Sequence, residues 1–170
     1  LTETHEFASA TDNSVSNHVR MADREMALRV VAFSILGQDV FLKSEGLDDF
    51  LNKATQYIDS MFKLEDINMT KNRFTRAMIV AREIFGDGAF RKWPLNGTNR
   101  FPINRAIFEA VGFVLFTTDK SDLKEYANIQ ENYRKLCTED YEFISSVTQS
   151  TGSARNVLGR FAKIREAFVK

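Results

Sequence analysis

Both prolines of the chain, Pro94 and Pro102, fall in one short stretch, so residues 1–93 and 103–170 hold nothing that forbids a continuous helix. The apolar residues there recur at helical rather than strand spacing. Leu47, Phe50, Leu51, Ala54, Ile58, Met61 and Phe62 make one stripe, and Ile67, Phe74, Met78, Ala81 and Phe85 make a second. Val157, Leu158, Phe161, Ile164 and Phe168 make a third near the C-terminus. Helices are expected over about 22–36, 47–63, 65–85, 103–117, 121–136, 138–147 and 153–168. The expected fold is all-α, a single compact domain of about six or seven helices.

Local signals set the expected boundaries. Gly37 can end the first long helix, because glycine takes a left-handed conformation without steric cost. Gly86-Asp87-Gly88 ends the third, and Ser121 is a good cap for the fifth. Residues 1–19 read as a leader, a short helix at most, followed by a loop. Residues 86–102 form the long internal loop, with Trp93 and an Asn96-Gly97 turn signal. The helix over 22–36 is apolar nearly all round, a pattern of buried helices.

Composition removes several function classes. An apolar fraction of 44% with zero net charge suits a folded core, not a disordered chain. The longest apolar stretch, Ala110 to Phe116, is far shorter than the roughly 20 residues of a membrane span. The polar, acidic start, Leu1 to Glu6, lacks the features of a secretory signal. A single cysteine, Cys137, cannot form an intrachain disulfide, which fits a reducing, cytoplasmic setting. His5 and His18 with Cys137 do not make a metal-ligand pattern. Neither a metal nor another cofactor is indicated.

Charge is balanced overall and uneven along the chain. Residues 1–67 carry 6 basic and 12 acidic side chains, whereas residues 68–105 carry 8 basic and 2 acidic. Two readings stay open. The basic third helix pairs with the acidic N-terminal segments inside the fold, or the basic residues form an electrostatic footprint for nucleic acid. In the second reading Phe90, Trp93 and Phe101 could stack on unpaired bases.

The remaining motifs have plain structural readings. Gly86-Asp87-Gly88 lacks the Lys-Ser/Thr of a phosphate loop. Asp122-Leu123-Lys124 lacks the strand and second acid of a nuclease site, and Asp48-Asp49 suits a helix start. Cys137 has no neighbouring base and reads as a small hydrophobe. The segment Arg20 to Arg29 is the most unusual, because charges crowd the entrance of a helix that then turns apolar. Glu25 and Arg29 have the favourable i,i+4 order, and Asp23 could cap the helix and hold Arg20. A buried structural ion-pair network and a substrate or nucleotide contact are the two readings of this segment.

Arg20-x-x-Asp23-x-Glu25-x-x-x-Arg29-x-x-Ala32-Phe33 also resembles the helical half of the N-terminal family of GmrSD-type restriction endonucleases, domain of unknown function 262. Leu47-Asp48-Asp49-Phe50-Leu51-Asn52 looks like that family's following helix. Ile84-Phe85-Gly86 with Ala89-Phe90-Arg91-Lys92 looks like its next junction, and Asn104 to Ala110 resembles its next helix start. Val157 and Arg160 match a final helix, so the resemblance covers about residues 15–168. It implies a prokaryotic phage-defence or restriction-modification protein whose catalytic half has a ParB/sulfiredoxin-like fold and a Gly-Gln-Gln-Arg-type motif. That motif is absent: Gln38, Gln56, Gln130 and Gln149 are isolated and none precedes Arg. No catalytic residue is therefore carried over.

The expectation is a non-catalytic helical module that supports a nucleotide-dependent nuclease half and contacts DNA. Arg91, Lys92, Arg100, Arg105 and Arg160 are the expected phosphate contacts, and Arg20, Asp23, Glu25 and Arg29 the ordered junction with the catalytic half. The alternative is a protein-interaction or oligomerisation domain with no nucleic-acid role and an exposed apolar patch, expected around Trp93.

Overall fold

The computed structural model describes residues 1–14, 22–97 and 101–170. Among these the fold is all-α, with eight helices. They are α1 (His5–Ala10), α2 (Ala22–Leu42), α3 (Leu47–Met61), α4 (Leu64–Phe85), α5 (Arg105–Thr117), α6 (Tyr126–Glu139), α7 (Tyr141–Ser146) and α8 (Ala154–Phe168). Single turns of 3-10 helix follow α4 and precede α6.

The most buried helix is α5. Every residue from Ala106 to Phe116 is buried, so α5 is covered all round by α2, α4 and α8. The sequence assigned that role to α2. In fact α2 keeps a half-exposed side at Leu28, Ile35 and Leu36, because its main packing is on α5 and α3. Gly37 does interrupt α2, at φ +76°, and helical backbone resumes as far as Leu42.

Phenylalanine holds these helices together. Phe33 of α2 lies 4.6 Å from Phe50 of α3 and 4.9 Å from Phe161 of α8, ring centre to ring centre. Phe113 of α5 stacks on Phe161 at 4.7 Å. A second group joins α1 to the centre: Phe7 sits 6.2 Å from Phe74 and 5.9 Å from Phe108. A third, around Phe85, Tyr133 and Phe168, ties α4, α6 and α8. Each fully buried ring contributes on the order of 2 kcal/mol by leaving water. Thus α1 is more than a leader: Phe7 is fully buried and Thr4 caps the helix by accepting from the Phe7 N–H.

Two expected starts move. Instead of beginning at Ser121, α6 begins at Tyr126, because residues 120–124 are drawn to the C-terminus. The Lys124 N–H donates to Phe168 O at 2.8 Å, and the Lys170 N–H donates to Asp122 O at 3.0 Å. Likewise α7 begins at Tyr141, where the Asp140 carboxylate accepts from the Phe143 N–H at 2.8 Å. Residues 93–95, after α4, are fastened to α6. The Leu95 N–H donates to Thr138 Oγ1 at 2.8 Å, and the Arg134 guanidinium stacks 5.0 Å from the Trp93 ring.

The α2–α5 crossing depends on Gly112. A Cβ there would lie 2.7 Å from Val30 Cγ2, and a β-branched side chain at a crossing cannot swing aside. Gly112→Ala should therefore destabilise the fold by about 1–2 kcal/mol despite alanine's better helix propensity. Val30→Ala in the same chain should recover part of the loss, as read by urea denaturation.

Candidate functional site

Where α2, α5 and α8 meet, five charged side chains form one chain of contacts. Glu25 and Arg29 lie one turn apart on α2, and Arg29 donates to Glu25 Oε1 from Nη2 at 2.6 Å and from Nε at 3.1 Å. Arg29 Nη1 donates to Glu109 Oε2 on α5 at 3.3 Å. The other Glu109 oxygen accepts from Arg160 Nη2 on α8. Arg160 Nη1 donates to Thr151 O at 2.7 Å. At the outer end Arg105 Nη1 lies 3.7 Å from Glu25 Oε2.

The chain runs from solvent to core. Arg105 is 55% and Glu25 38% exposed in their side chains, Arg29 is 14% exposed, and Glu109 and Arg160 are fully buried. Burial lowers the Arg160 pKa, and the Glu109 charge pulls it back up. The sequence contains both halves of the inner pair in apolar settings. Glu109 interrupts the apolar run of α5, and Arg160 sits in the Val157–Phe161–Ile164 stripe of α8. A charge among apolar residues requires a partner, and that signal could have paired them.

The predicted site residues separate. Glu25 and Arg29 join as their spacing implied, and Asp23 is a buried first-turn residue of α2. Arg20 and Arg100 lie outside the described residues. Two expected phosphate contacts are corrected. Arg160 is fully buried on Glu109, so no phosphate can reach it. Arg91 is 6% exposed and acts as a clamp, donating to Asp87 O at 3.1 Å, Phe101 O at 2.7 Å and Ser14 Oγ at 2.9 Å. Lys92 Nζ donates to Thr148 Oγ1 at 2.9 Å, and Arg105 serves Glu25. Phe90 is buried against Phe108, and Trp93 packs on Phe85 and Arg134. Of the three aromatic residues offered for base stacking, Phe101 is exposed.

Among the described residues no ion pair joins the basic third helix of the sequence reading, α4, to the acidic N-terminal segments. Arg76 binds Asp119 at 2.8 Å, and Arg82 binds Asp87 at 2.5 Å. Lys71 and Arg73 stand exposed.

Elsewhere ionisable groups anchor structure. Glu83 Oε2 accepts from Lys120 Nζ and from Tyr126 OH, each at 2.9 Å, and these two donors hold its carboxyl low and ionised. Burial pushes the Cys137 thiol up, away from the nucleophilic thiolate. Two surface hollows flank Lys163. One, of about 290 Å³, includes Tyr141, Ser145, Arg155 and Asn156 in its lining, and the other, of about 350 Å³, includes Lys124, Asn132 and Glu166. Lys163 itself is held by Asp140 at 2.6 Å and Glu142 at 3.4 Å. No group of three or more metal-ligating side chains occurs among the described residues. No described helix is long and apolar enough to cross a membrane. No protein-family model, curated protein or solved structure matches this chain.

Several large apolar residues that the fold leaves outside lie at the end of α3 and the start of α4, not around Trp93, while Leu42, Ile79 and Tyr141 stand exposed elsewhere. Tyr57, Met61, Leu64, Ile67 and Met69 are 41%, 60%, 73%, 49% and 50% exposed. The α3–α4 corner projects because α3 packs mainly on α2, and the buried residues of α4 begin only at Thr70. Sequence reading placed Met61 and Ile67 on core-facing stripes, since periodicity shows a face without showing whether anything covers it.

Two outcomes follow. Glu109→Gln leaves Arg160 and Arg29 without their shared counter-charge and should cost about 3–5 kcal/mol, whereas Glu109→Leu/Arg160→Met should recover most of that loss in chemical denaturation. Burial alone would raise the Asp140 carboxyl, but Lys163 and the Phe143 N–H hold it below its ordinary 3.8. A depressed carboxyl contributes stability above its unfolded pKa and loses it as pH falls through the folded one. The stability gap between wild type and Asp140→Asn should thus be constant near neutral pH and close below about pH 4.

Proposed function

We propose that this chain is a non-catalytic helical docking module whose contact surface is the α3–α4 corner. One observation carries the reading: four large apolar side chains, Tyr57, Met61, Leu64 and Ile67, are left in solvent at this corner by a fold that buries thirteen of its fifteen phenylalanines. An apolar cluster of this kind marks a protein contact. The charged network supports the same reading, since its inner members bind one another and offer no acid, base or nucleophile to a substrate.

The resemblance to GmrSD-type restriction proteins supplies the partner in this reading, a ParB/sulfiredoxin-like catalytic half acting in phage defence in a prokaryotic cytoplasm. The side chains of Leu64 and Ile67 would enter the partner's apolar surface. DNA contact is the subordinate part of the proposal. It rests on Lys71, which α4 presents on the side of Leu64 and Ile67, since Arg91 and Arg160 are buried.

The test is co-expression of the chain with a ParB/sulfiredoxin-like catalytic half from the same genome, followed by size-exclusion chromatography. A stoichiometric complex that Leu64→Asp/Ile67→Asp abolishes, with an unchanged melting curve, is the expected result. Failure to form a complex, or a complex indifferent to the double substitution, overturns the docking reading. Fluorescence anisotropy on duplex DNA across a salt series tests the second part. Binding should weaken steeply with salt and with Lys71→Ala.

A further inference from the structure

A different face of α4 is complementary to itself. Glu65, Met69 and Arg73 follow one another at i, i+4 and i+8, so they form one stripe along the helix. All three are exposed, Met69 to 50%. Neither Glu65 nor Arg73 forms an ion pair among the described residues, whereas Arg76, Arg82 and Glu83 farther along the helix do. Within one chain they cannot meet, because eight residues of helix separate them by about 12 Å. Leu64 and Ile67 lie on another side of the same helix.

We propose that a second copy of this chain packs antiparallel on α4, with a two-fold axis passing at Met69. A two-fold contact uses the same patch on both subunits, and residue i meets j just as j meets i. With the axis at Met69, Met69 packs on its own counterpart. Glu65 of each copy then faces Arg73 of the other, because both lie four residues from the axis. Two ion pairs and one methionine contact result, with Asn72 beside them. The pattern of acid, apolar centre and base sets both the direction and the register: a parallel pairing would place like charges together. The contact is small, so the expected dimer is weak and salt-sensitive, at the low end of specific interfaces.

Sedimentation velocity of the full chain tests this over a concentration series at low and high salt. The expected result is a monomer near 1 μM, a dimer growing in towards about 500 μM at low salt, and a shift back to monomer at high salt. Glu65→Arg and Arg73→Glu should each weaken dimerisation at least tenfold. The combined Glu65→Arg/Arg73→Glu exchange should restore it, because the swap preserves complementarity. Met69→Asp should abolish it. All four variants alter exposed positions, and circular dichroism melts confirm that each folds. A wild type that stays monomeric at low salt overturns the proposal, as does a dimer that single reversals leave intact or that the exchange fails to rescue. None of these outcomes bears on the Leu64 and Ile67 surface, whose test is the loss of the heteromeric complex.

Discussion

The fold is organised around one carboxylate that water never reaches. Glu109 sits in the middle of α5, the most buried helix, and divides its two oxygens between Arg29 of α2 and Arg160 of α8. A buried charge without partners costs several kcal/mol, so the three helices must bring these groups together or not pack at all. Apolar packing alone tolerates small rotations of one helix against another. A carboxylate shared by two guanidiniums does not, since each N–H must be aimed at an oxygen. Here the network fixes the register of α2, α5 and α8, whereas most of the stabilisation comes from the rings around it.

Those rings explain how crossing helices enclose the core of this chain. Phenylalanine is large, rigid and free of hydrogen-bonding groups, so it fills the gaps between crossing helices without leaving a polar atom behind. At the one crossing where a side chain would hold the helices apart, the sequence supplies Gly112. The same residue type recruits the ends of the chain: Phe7 brings α1 onto α4 and α5, and Phe168 brings the end of α8 onto α4 and α6.

Much of this was legible in the sequence. The long helices, a break at Gly37 and the Glu25–Arg29 pair depend on residues a few positions apart, and local physics decides them, although helix resumes after Gly37 to Leu42. The start of α6 was not legible, because the segment holding Ser121 bonds to the C-terminus, almost fifty residues away. Arg91 and Lys92 looked alike, adjacent cations beside a tryptophan. The fold turns Arg91 inward as a clamp on three carbonyl and hydroxyl groups and leaves Lys92 half-buried on Thr148. Arg160 looked like a phosphate contact because its partner, Glu109, lies in a distant part of the chain.

By itself the sequence determined an all-α protein, the places where its helices run, and the absence of a membrane-length apolar stretch. These follow from spacing and from the intrinsic conformational limits of proline and glycine. Tertiary structure decided which helix is central, which charges are internal and which apolar faces stay uncovered. Those outcomes depend on what lies opposite each face, and a face of Met61 and Leu64 reads the same in sequence whether a neighbour covers it or water does.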